Sequence, residues 1–119
     1  MKRFPSIKKN REFQVVYKNG KSYANKLLIL YVYSTGRTDT RIGISVSKKV
    51  GNSVVRHHFA RLIREIFRLH KDDMDLGLDI VVVARQAAKE ADFKKLESAY
   101  MHLCGLHNIL RRIEVIETC

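Results

Sequence analysis

The chain is poor in the residues that build disulfide scaffolds, metal sites and irregular segments. Its 119 residues include no tryptophan, one proline, two cysteines and six glycines. Cys104 and Cys119 lie near one end and can form neither a disulfide framework nor a zinc site, so we expect both to be reduced and without a role. With 45% hydrophobic residues and little proline or glycine, the composition also excludes a disordered chain.

Long apolar runs are missing as well. The longest candidate, Leu27 to Tyr33, is far shorter than the ~20 residues that span a bilayer and suits a buried strand. The basic start of the chain is not followed by the apolar stretch of a secretory signal. We therefore expect a cytoplasmic protein with no membrane partner. Its length predicts one domain, residues 1–119.

Acidic residues are scarce in the first 71 positions. The chain has 23 Lys and Arg against 12 Asp and Glu, a formal net charge of +11. Residues 1–26 carry eight basic and one acidic side chain, residues 41–71 again eight and one, and residues 72–119 six and nine. This segregation predicts a surface that binds a polyanion, with nucleic acid as the first candidate. A basic surface that only confers solubility, or one that binds an anionic membrane, explains it less well.

Patterns typical of a protein catalyst or a metal site are also missing. His57 and His58 are adjacent, so on a helix they point about 100° apart and cannot form a facing acid/base pair. Asp72, Asp73 and Asp75 are what a polar turn after a helix contains. We predict no catalytic and no metal-binding residue.

Hydrophobic periodicity predicts the order helix, two or three strands, helix, strand, helix, which indicates an α/β (α+β) two-layer sandwich. Two paired antiparallel strands are the simplest arrangement of the first strands. The last helix is predicted to point Phe93, Leu96, Tyr100, Leu103 and Leu110 toward the core. In chain order, the predicted elements are a helix capped by Asn10 and ended by Asn19 and Gly20, strands at Tyr23 to Ser34 and Thr40 to Ser47, a helix at Val54 to His70, a strand at Leu78 to Ala84, and a helix capped by Asp92.

The long helix that begins near Val54 is predicted to be amphipathic, with Asn52 or Ser53 as its cap. One stripe is apolar and faces the core: Val55, Phe59, Leu62, Ile66 and Leu69. The opposite stripe is basic: His57, Arg61, Arg64 and Arg68. The helix therefore buries one face and exposes a row of cations on the other.

The segment before this helix adds features of a phosphate-binding site. Two lysines precede a glycine that lets the backbone approach a ligand, and a helix start offers unpaired amides and the positive end of the dipole. Guanidinium groups further along suit bidentate phosphate contacts. The predicted nucleic-acid-binding residues are Lys48, Lys49, Gly51, Asn52, Arg56, His57, Arg61, Arg64 and Arg68.

The stretch SKKVGNSVVRHHFARLIREIFR, residues 47–68, resembles the RNR motif of the bacterial ribonuclease P protein family. The family pattern K-x-G-x-A-V-x-R-N-x-x-K-R-x-x-R is met by Lys49, Gly51, Val54, Arg56, Arg61 and Arg64. This chain departs from the pattern at Ser53, His57 and Ala60. KNREFQVVYKNGKSYAN and LLILYVY also come in the family's order and spacing, so the resemblance covers nearly the whole chain.

The resemblance implies a fold and a function. The fold is a sandwich with a mixed sheet of about four strands and a left-handed β-α-β crossover, of the ribosomal protein S5 domain 2-like type. The function is that of the accessory protein subunit of the endoribonuclease ribonuclease P, bound one-to-one to a catalytic RNA. That RNA, with Mg²⁺ held mainly by the RNA and the substrate, removes the 5′ leader of precursor tRNA.

Three aromatic residues have two interpretations. At helical spacing, Phe13 and Tyr17, like Tyr31 on a strand, are more typical of a core. The resemblance instead places them in a cleft that holds the single-stranded leader, where they can stack on bases. Two rival functions stay open: a noncatalytic ribosomal-type rRNA-binding protein, and a protein-only nuclease using His57 or His58.

Overall fold

The computed structural model describes residues 6–110 of the chain. Within them, the helices are α1 (Asn10–Asn19), α2 (Ser53–His70) and α3 (Phe93–His107), and the strands are β1 (Lys21–Ala24), β2 (Leu28–Ser34), β3 (Arg41–Ser45) and β4 (Leu78–Ala84). Short 3₁₀ turns lie at Lys71–Asp73 and Gln86–Glu90. No helix in this range is long and apolar enough to cross a membrane. Lys2 and Arg3, which belong to the basic segment 1–26, and Cys119, which is predicted to be reduced, lie outside the described residues.

The four strands form one mixed sheet in the order β1-β2-β4-β3. β1 pairs with β2, and β2 with β4, in antiparallel orientation, whereas β3 and β4 are parallel. A parallel pair needs a long connection, and α2 lies within it, so β3, α2 and β4 form a β-α-β unit. The predicted fold class, α+β with a mixed sheet of about four strands, is confirmed.

The prediction of one strand from Tyr23 to Ser34 is wrong. The run is broken at residues 25–27, and its two halves pair with each other as β1 and β2. The side-chain oxygen of Asn25 accepts hydrogen bonds from the backbone N–H groups of Leu27 (3.2 Å) and Leu28 (3.0 Å). This local bonding is the mechanism by which asparagine makes a turn inside an otherwise strand-like run.

The prediction that the Thr40 to Ser47 strand pairs with the strand before it is also wrong. β4 lies between β2 and β3 and pairs with both of them. All of β4 except Val83 is buried, which is the pattern of a central strand covered on both faces. Alternation along a strand indicates which side chains share a face, but it carries no information on which strands are neighbours.

The ends of α1 are partly as predicted. The cap is Lys9 rather than Asn10, which is the first helical residue, and the Lys9 backbone N–H donates to Glu12 Oε1 at 3.4 Å. The predicted end is confirmed, since the Gly20 N–H donates to Val16 O at 2.8 Å. A Cβ on Gly20 would lie 2.7 Å from that same oxygen, so the close approach requires glycine. The predicted caps Asn52 and Asp92 both accept a backbone hydrogen bond in the first turn of their helices.

Side chains alternate between the two faces of the sheet, and each face has its own apolar cluster. One face packs against α2 and α3 and carries the main core. The buried members of that core from the sheet and the two helices include Leu28, Leu30, Ile42, Ile80, Val82, Phe59, Ile63, Ile66, Phe67, Leu96, Tyr100 and Leu103. On the other face, Val16 of α1 and Ile7 pack against Val81 of β4. α1 therefore lies on the opposite side of the sheet from α2 and α3.

The buried stripe of α2 differs from the predicted one. Leu69 is 47% exposed, whereas Ile63 and Phe67, outside the predicted stripe, are fully buried. At 100° per residue the centre of the buried arc is rotated by about 65° from the prediction. The reason is that α2 packs against both the sheet and α3. The positions of both elements therefore decide which residues of α2 are buried. In α3, Leu96, Tyr100 and Leu103 are buried as predicted, but Leu110 lies beyond the helix, in a bridge with Met74.

Candidate nucleic-acid interface

The loop before α2 is shaped by its own hydrogen bonds. Val50 is buried and its N–H donates to Ser47 O at 3.0 Å, which leaves Lys48 and Lys49 exposed beside the start of the helix. A Cβ on Gly51 would lie 2.6 Å from Val55 Cγ1. A side chain at position 51 would therefore collide with Val55, so packing within the protein explains the glycine without a bound ligand.

The outer face of α2 carries exposed guanidinium groups, as predicted. His57, Arg61, Arg64 and Arg68 are all exposed. Arg68 donates a hydrogen bond from Nε to Oε1 of Glu65, three residues earlier in the helix, at 3.0 Å. Across residues 6–110, neither Arg61 nor Arg64 has a carboxylate within ion-pair distance. Their charges are available to an external anion.

Arg56 lies at the border between the outer face of α2 and the core. Its side chain is half-buried, and its Nε atom is buried without a hydrogen-bond partner in the part of the chain that the structure describes. A groove between β3 and α2 is lined by Ile44, Val46, Ser53, Arg56, His57, Ala60 and Arg64. The two arginines can bind a phosphate at the edge of this groove, and its apolar floor suits the sugar or base attached to it.

His57 and His58 are directed to different places, as expected for neighbours on a helix. His57 lines the groove with Arg64, whereas His58 lines an apolar hollow with Val50 and Leu62. The two imidazoles do not face one another, so they do not form an acid/base pair.

The three predicted aromatic residues come together between α1 and the sheet. The ring centroids of Phe13 and Tyr17 are 6.3 Å apart, and those of Tyr17 and Tyr31 are 4.9 Å apart with the planes at 69°. Each of the three residues is partly exposed, and all three pack, like Tyr33 and Val83, against the small buried cluster on this face of the sheet. The rings pack against one another, as core residues do, and still present a surface. That bases stack on this surface stays a prediction. We call this surface the aromatic cleft.

The floor of the aromatic cleft is a stretch of sheet that α1 does not fully cover. A Cβ on Gly43 of β3 would lie 2.9 Å from Phe13 Cε1, so the missing side chain lets the Phe13 ring lie against the strand. Further along the sheet, Ile29, Val83 and Ser45 are neighbours in register and remain half-exposed. The cleft thus has a flat floor beside a wall of aromatic rings.

A charged network on this same face was missed by sequence reasoning. Asp79 of β4 is only 4% exposed, the single buried charged residue among residues 6–110. Arg41 of β3 binds it through two hydrogen bonds, Nε to Oδ1 at 2.9 Å and Nη2 to Oδ2 at 2.7 Å, and Arg37 Nη2 donates to Oδ1 at 2.6 Å. Burial alone would raise the pKa of Asp79, but the hydrogen bonds from the two arginines outweigh burial and lower it.

The network continues into α1. Arg41 Nη1 donates to Glu12 Oε2 at 3.2 Å, and this hydrogen bond is the main reason that the pKa of Glu12 is lowered. Sequence reasoning had counted Arg41 among the basic residues of a polyanion-binding segment, yet its guanidinium is shared between two carboxylates of the protein. The available signal was Asp79 itself, an acidic residue within the apolar strand LDIVVVA, which needs a buried cationic partner.

The remaining acidic and sulfur groups have ordinary surroundings. Among residues 6–110, no three His, Cys, Asp or Glu side chains come close enough to hold a metal ion. Asp72, Asp73 and Asp75 are exposed in the turn after α2. Cys104 is a buried free cysteine, and burial raises the pKa of its thiol to about 12, so it stays protonated at neutral pH.

Comparison with known proteins agrees with this arrangement. Residues 1–107 match the model of the ribonuclease P family. The chain is 52% identical over 109 residues to the ribonuclease P protein component of Lachnoclostridium phytofermentans, covering 92% of this chain and 94% of that protein. Its fold is similar to the ribonuclease P protein of Staphylococcus aureus, with a TM-score of 0.84 and 38% identity over 92% of this chain and 100% of that one. For the Thermotoga maritima protein the TM-score is 0.77, with 30% identity over 83% and 94% of the two chains. This chain therefore belongs to the ribonuclease P family, as a protein subunit of that tRNA-processing endoribonuclease.

Proposed function

We propose that the protein is the noncatalytic subunit of the ribonuclease P complex and holds two RNAs at once. The catalytic RNA binds the loop before α2 and its exposed arginine face. The 5′ leader of precursor tRNA binds the aromatic cleft on the other face of the sheet. The observation that carries this proposal is a pair of exposed guanidinium groups in a member of this family, Arg61 and Arg64, which have no carboxylate within ion-pair distance among the described residues.

The α2 surface suits a folded RNA whose phosphates are fixed in space. Lys48 and Lys49 are exposed in the loop before α2, and Arg61 and Arg64 are exposed along the helix itself, so one continuous stretch of the chain presents all four cations. Binding that neutralises phosphates releases counterions, so this contact is expected to weaken as salt rises. A one-to-one complex with the RNA subunit follows if each protein presents a single such surface.

The aromatic cleft suits a single strand rather than a duplex. Partly exposed rings of Phe13, Tyr17 and Tyr31 offer faces and edges on which unpaired bases can stack. Such stacking is worth about 1 to 3 kcal/mol per base and is tolerant of sequence, as a subunit that handles many precursor tRNAs requires. The half-exposed sheet floor beside the rings gives the strand a flat surface to follow.

In this proposal the hydrolysis is carried out by the RNA subunit. The described residues offer no group of ligands that fits Mg²⁺, so we assign that ion to the RNA and the substrate. The protein contributes by neutralising phosphate repulsion between the two RNAs, which strengthens substrate binding. We also infer that it acts in the cytoplasm, where precursor tRNA is made.

The deciding experiment is cleavage of a 5′-labelled precursor tRNA at low magnesium by a bacterial ribonuclease P RNA, with and without this protein. We expect protein-dependent cleavage at the mature 5′ end and no cleavage by the protein alone. Stimulation should be largest at low magnesium, because protein cations and Mg²⁺ both reduce phosphate repulsion.

Two outcomes would contradict the proposal. Tight, salt-sensitive RNA binding without any stimulation would favour the ribosomal-type rRNA-binding role. Cleavage by the protein without RNA would favour a protein nuclease, and replacing His57 and His58 by alanine would then be the next step.

A further inference from the structure

The charged network extends from the centre of the sheet to the first turn of α1. Asp79 lies on the central strand, Arg41 faces it across the parallel pair, and Glu12 receives the remaining nitrogen of Arg41. Glu12 also accepts the backbone N–H of Lys9 at the start of the helix. A buried carboxylate is thus connected, through one guanidinium, to the end of α1 that precedes the aromatic residues.

The position of α1 decides the shape of the aromatic cleft. Phe13 is the residue after Glu12 and lies against Gly43, and Tyr17 lies one turn further, against Tyr31. The helix has ten residues, and a helix of this length is marginal in water without tertiary contacts. Its orientation therefore depends on the few groups that bind it to the sheet, among them Glu12 and the buried Val16.

We propose that Glu12, Arg41 and Asp79 form a positioning device for the leader: they hold the first turn of α1 at the distance from the sheet at which Phe13 and Tyr17 can receive a single strand. Arg41 is then a positioning residue that acts through Glu12, although it belongs to the basic half of the sequence. This inference rests on the proposed leader-binding role of the cleft.

The competing interpretation is that Arg41 and Arg37 bind the leader phosphates directly and that Glu12 only weakens this contact. The two interpretations give opposite signs for the substitution Glu12→Gln. Removing the carboxylate charge loosens α1 if the network positions the helix, and it strengthens the field toward a phosphate if the arginines bind RNA.

The experiment compares wild type, Glu12→Gln and Glu97→Gln in the complex with ribonuclease P RNA. Glu97 of α3 is a matched control, because its carboxylate also joins two elements, through His70 of α2 at 2.7 Å, and its side chain is 30% exposed against 32% for Glu12. The quantity measured is the ratio of affinities for precursor tRNA with its leader and for mature tRNA. A general loss of stability would weaken binding of both RNAs equally and leave this ratio unchanged.

We expect Glu12→Gln to lower the ratio by roughly threefold, within the range for a partly exposed ion pair, with an unchanged salt dependence. Glu97→Gln should leave the ratio at the wild-type value. A higher affinity with a steeper salt dependence in Glu12→Gln would overturn the inference in favour of direct phosphate binding, and an unchanged ratio would overturn it as well.

Amide hydrogen exchange of the free protein separates this inference from the proposed function. We expect faster exchange across α1 in Glu12→Gln and unchanged exchange there in Glu97→Gln, because only the first variant releases the helix from the sheet. If wild type itself shows no leader dependence, the leader-binding role is overturned. The α1 amides then still decide whether the network positions the helix, and unchanged exchange would overturn that part too.

Discussion

The outer face of α2 and the α1 side of the sheet both contain arginines, but the two sets have opposite surroundings. Arg61 and Arg64 are exposed on α2 and have no carboxylate within ion-pair distance among residues 6–110. Arg37 and Arg41 both bind the buried Asp79. The first pair can neutralise an external polyanion, whereas the second pair neutralises a charge that the fold has buried. A local excess of basic residues therefore indicates a polyanion-binding surface only where those residues do not already bind carboxylates of the protein.

The largest expected effect is on stability and concerns the sheet side alone. Replacing Asp79 by Ala leaves two guanidinium groups without their shared carboxylate, one of them mostly buried. We expect a loss of about 3 kcal/mol in the free energy of unfolding, measured by urea titration. Arg61→Ala should change that free energy by less than about 0.5 kcal/mol. Equal losses in the two variants would remove the distinction between the two sets of arginines.

At acidic pH, the difference in stability between wild type and a variant that lacks the Asp79 carboxylate should become smaller. The pKa of Asp79 is lowered in the folded protein, so its contribution to stability is fully present above the unfolded pKa of about 3.9 and is lost as the pH falls toward the folded value. The gap between wild type and Asp79→Asn in the free energy of unfolding is therefore expected to be constant from about pH 7 to pH 5 and to narrow below about pH 4. A gap that widens on acidification would show that the carboxyl group is protonated in the native state.

The next effect concerns the aromatic cleft. Tyr17→Ala removes a ring that lies between Phe13 and Tyr31, and we expect it to weaken leader-dependent binding of precursor tRNA by about 1 to 2 kcal/mol. Tyr17→Phe keeps the ring and should bind within about twofold of wild type. Equilibrium titration of both variants with leader-bearing and mature tRNA distinguishes lost stacking from lost folding. A defect in Tyr17→Phe equal to that of the alanine variant would assign the effect to the hydroxyl group.

The α2 arginines are expected to act through salt-dependent affinity. Replacing both Arg61 and Arg64 by Ala should lower the slope of log affinity against log salt by roughly one per residue for binding to the ribonuclease P RNA. The same slope should be unchanged in Asp79→Asn if that variant remains folded. An unchanged slope in the double variant would place the RNA subunit elsewhere on the protein.

The smallest expected effect on RNA binding comes from a change at Glu65. This residue partly neutralises Arg68 on the α2 surface. Both side chains are about half exposed, so the pair is weak and screened by salt. We expect Glu65→Gln to strengthen binding of the ribonuclease P RNA by no more than about twofold at low salt. Weaker binding in this variant would indicate that Glu65 orients Arg68 for its contact with the RNA.

The sequence alone correctly predicted the features that depend only on residues close together in the chain. The caps Asn52 and Asp92, the end of α1 at Gly20 and the exposed basic stripe of α2 all follow from residues within one or two turns of each other. The family resemblance correctly indicated the mixed sheet and the subunit role. It also placed Phe13, Tyr17 and Tyr31 together, and the structure brings their rings into contact.

Composition and periodicity thus determined by themselves that this chain is basic in its first 71 residues, amphipathic in α2 and apolar in β4, because these are properties of neighbouring residues. Only the tertiary structure decided that β4 lies between β2 and β3 and that α2 buries Ile63 and Phe67 rather than Leu69. It also decided that Arg41 binds Asp79, a residue 38 positions away. Strand order and ion-pair partners depend on which distant segments meet, and no local pattern encodes that meeting.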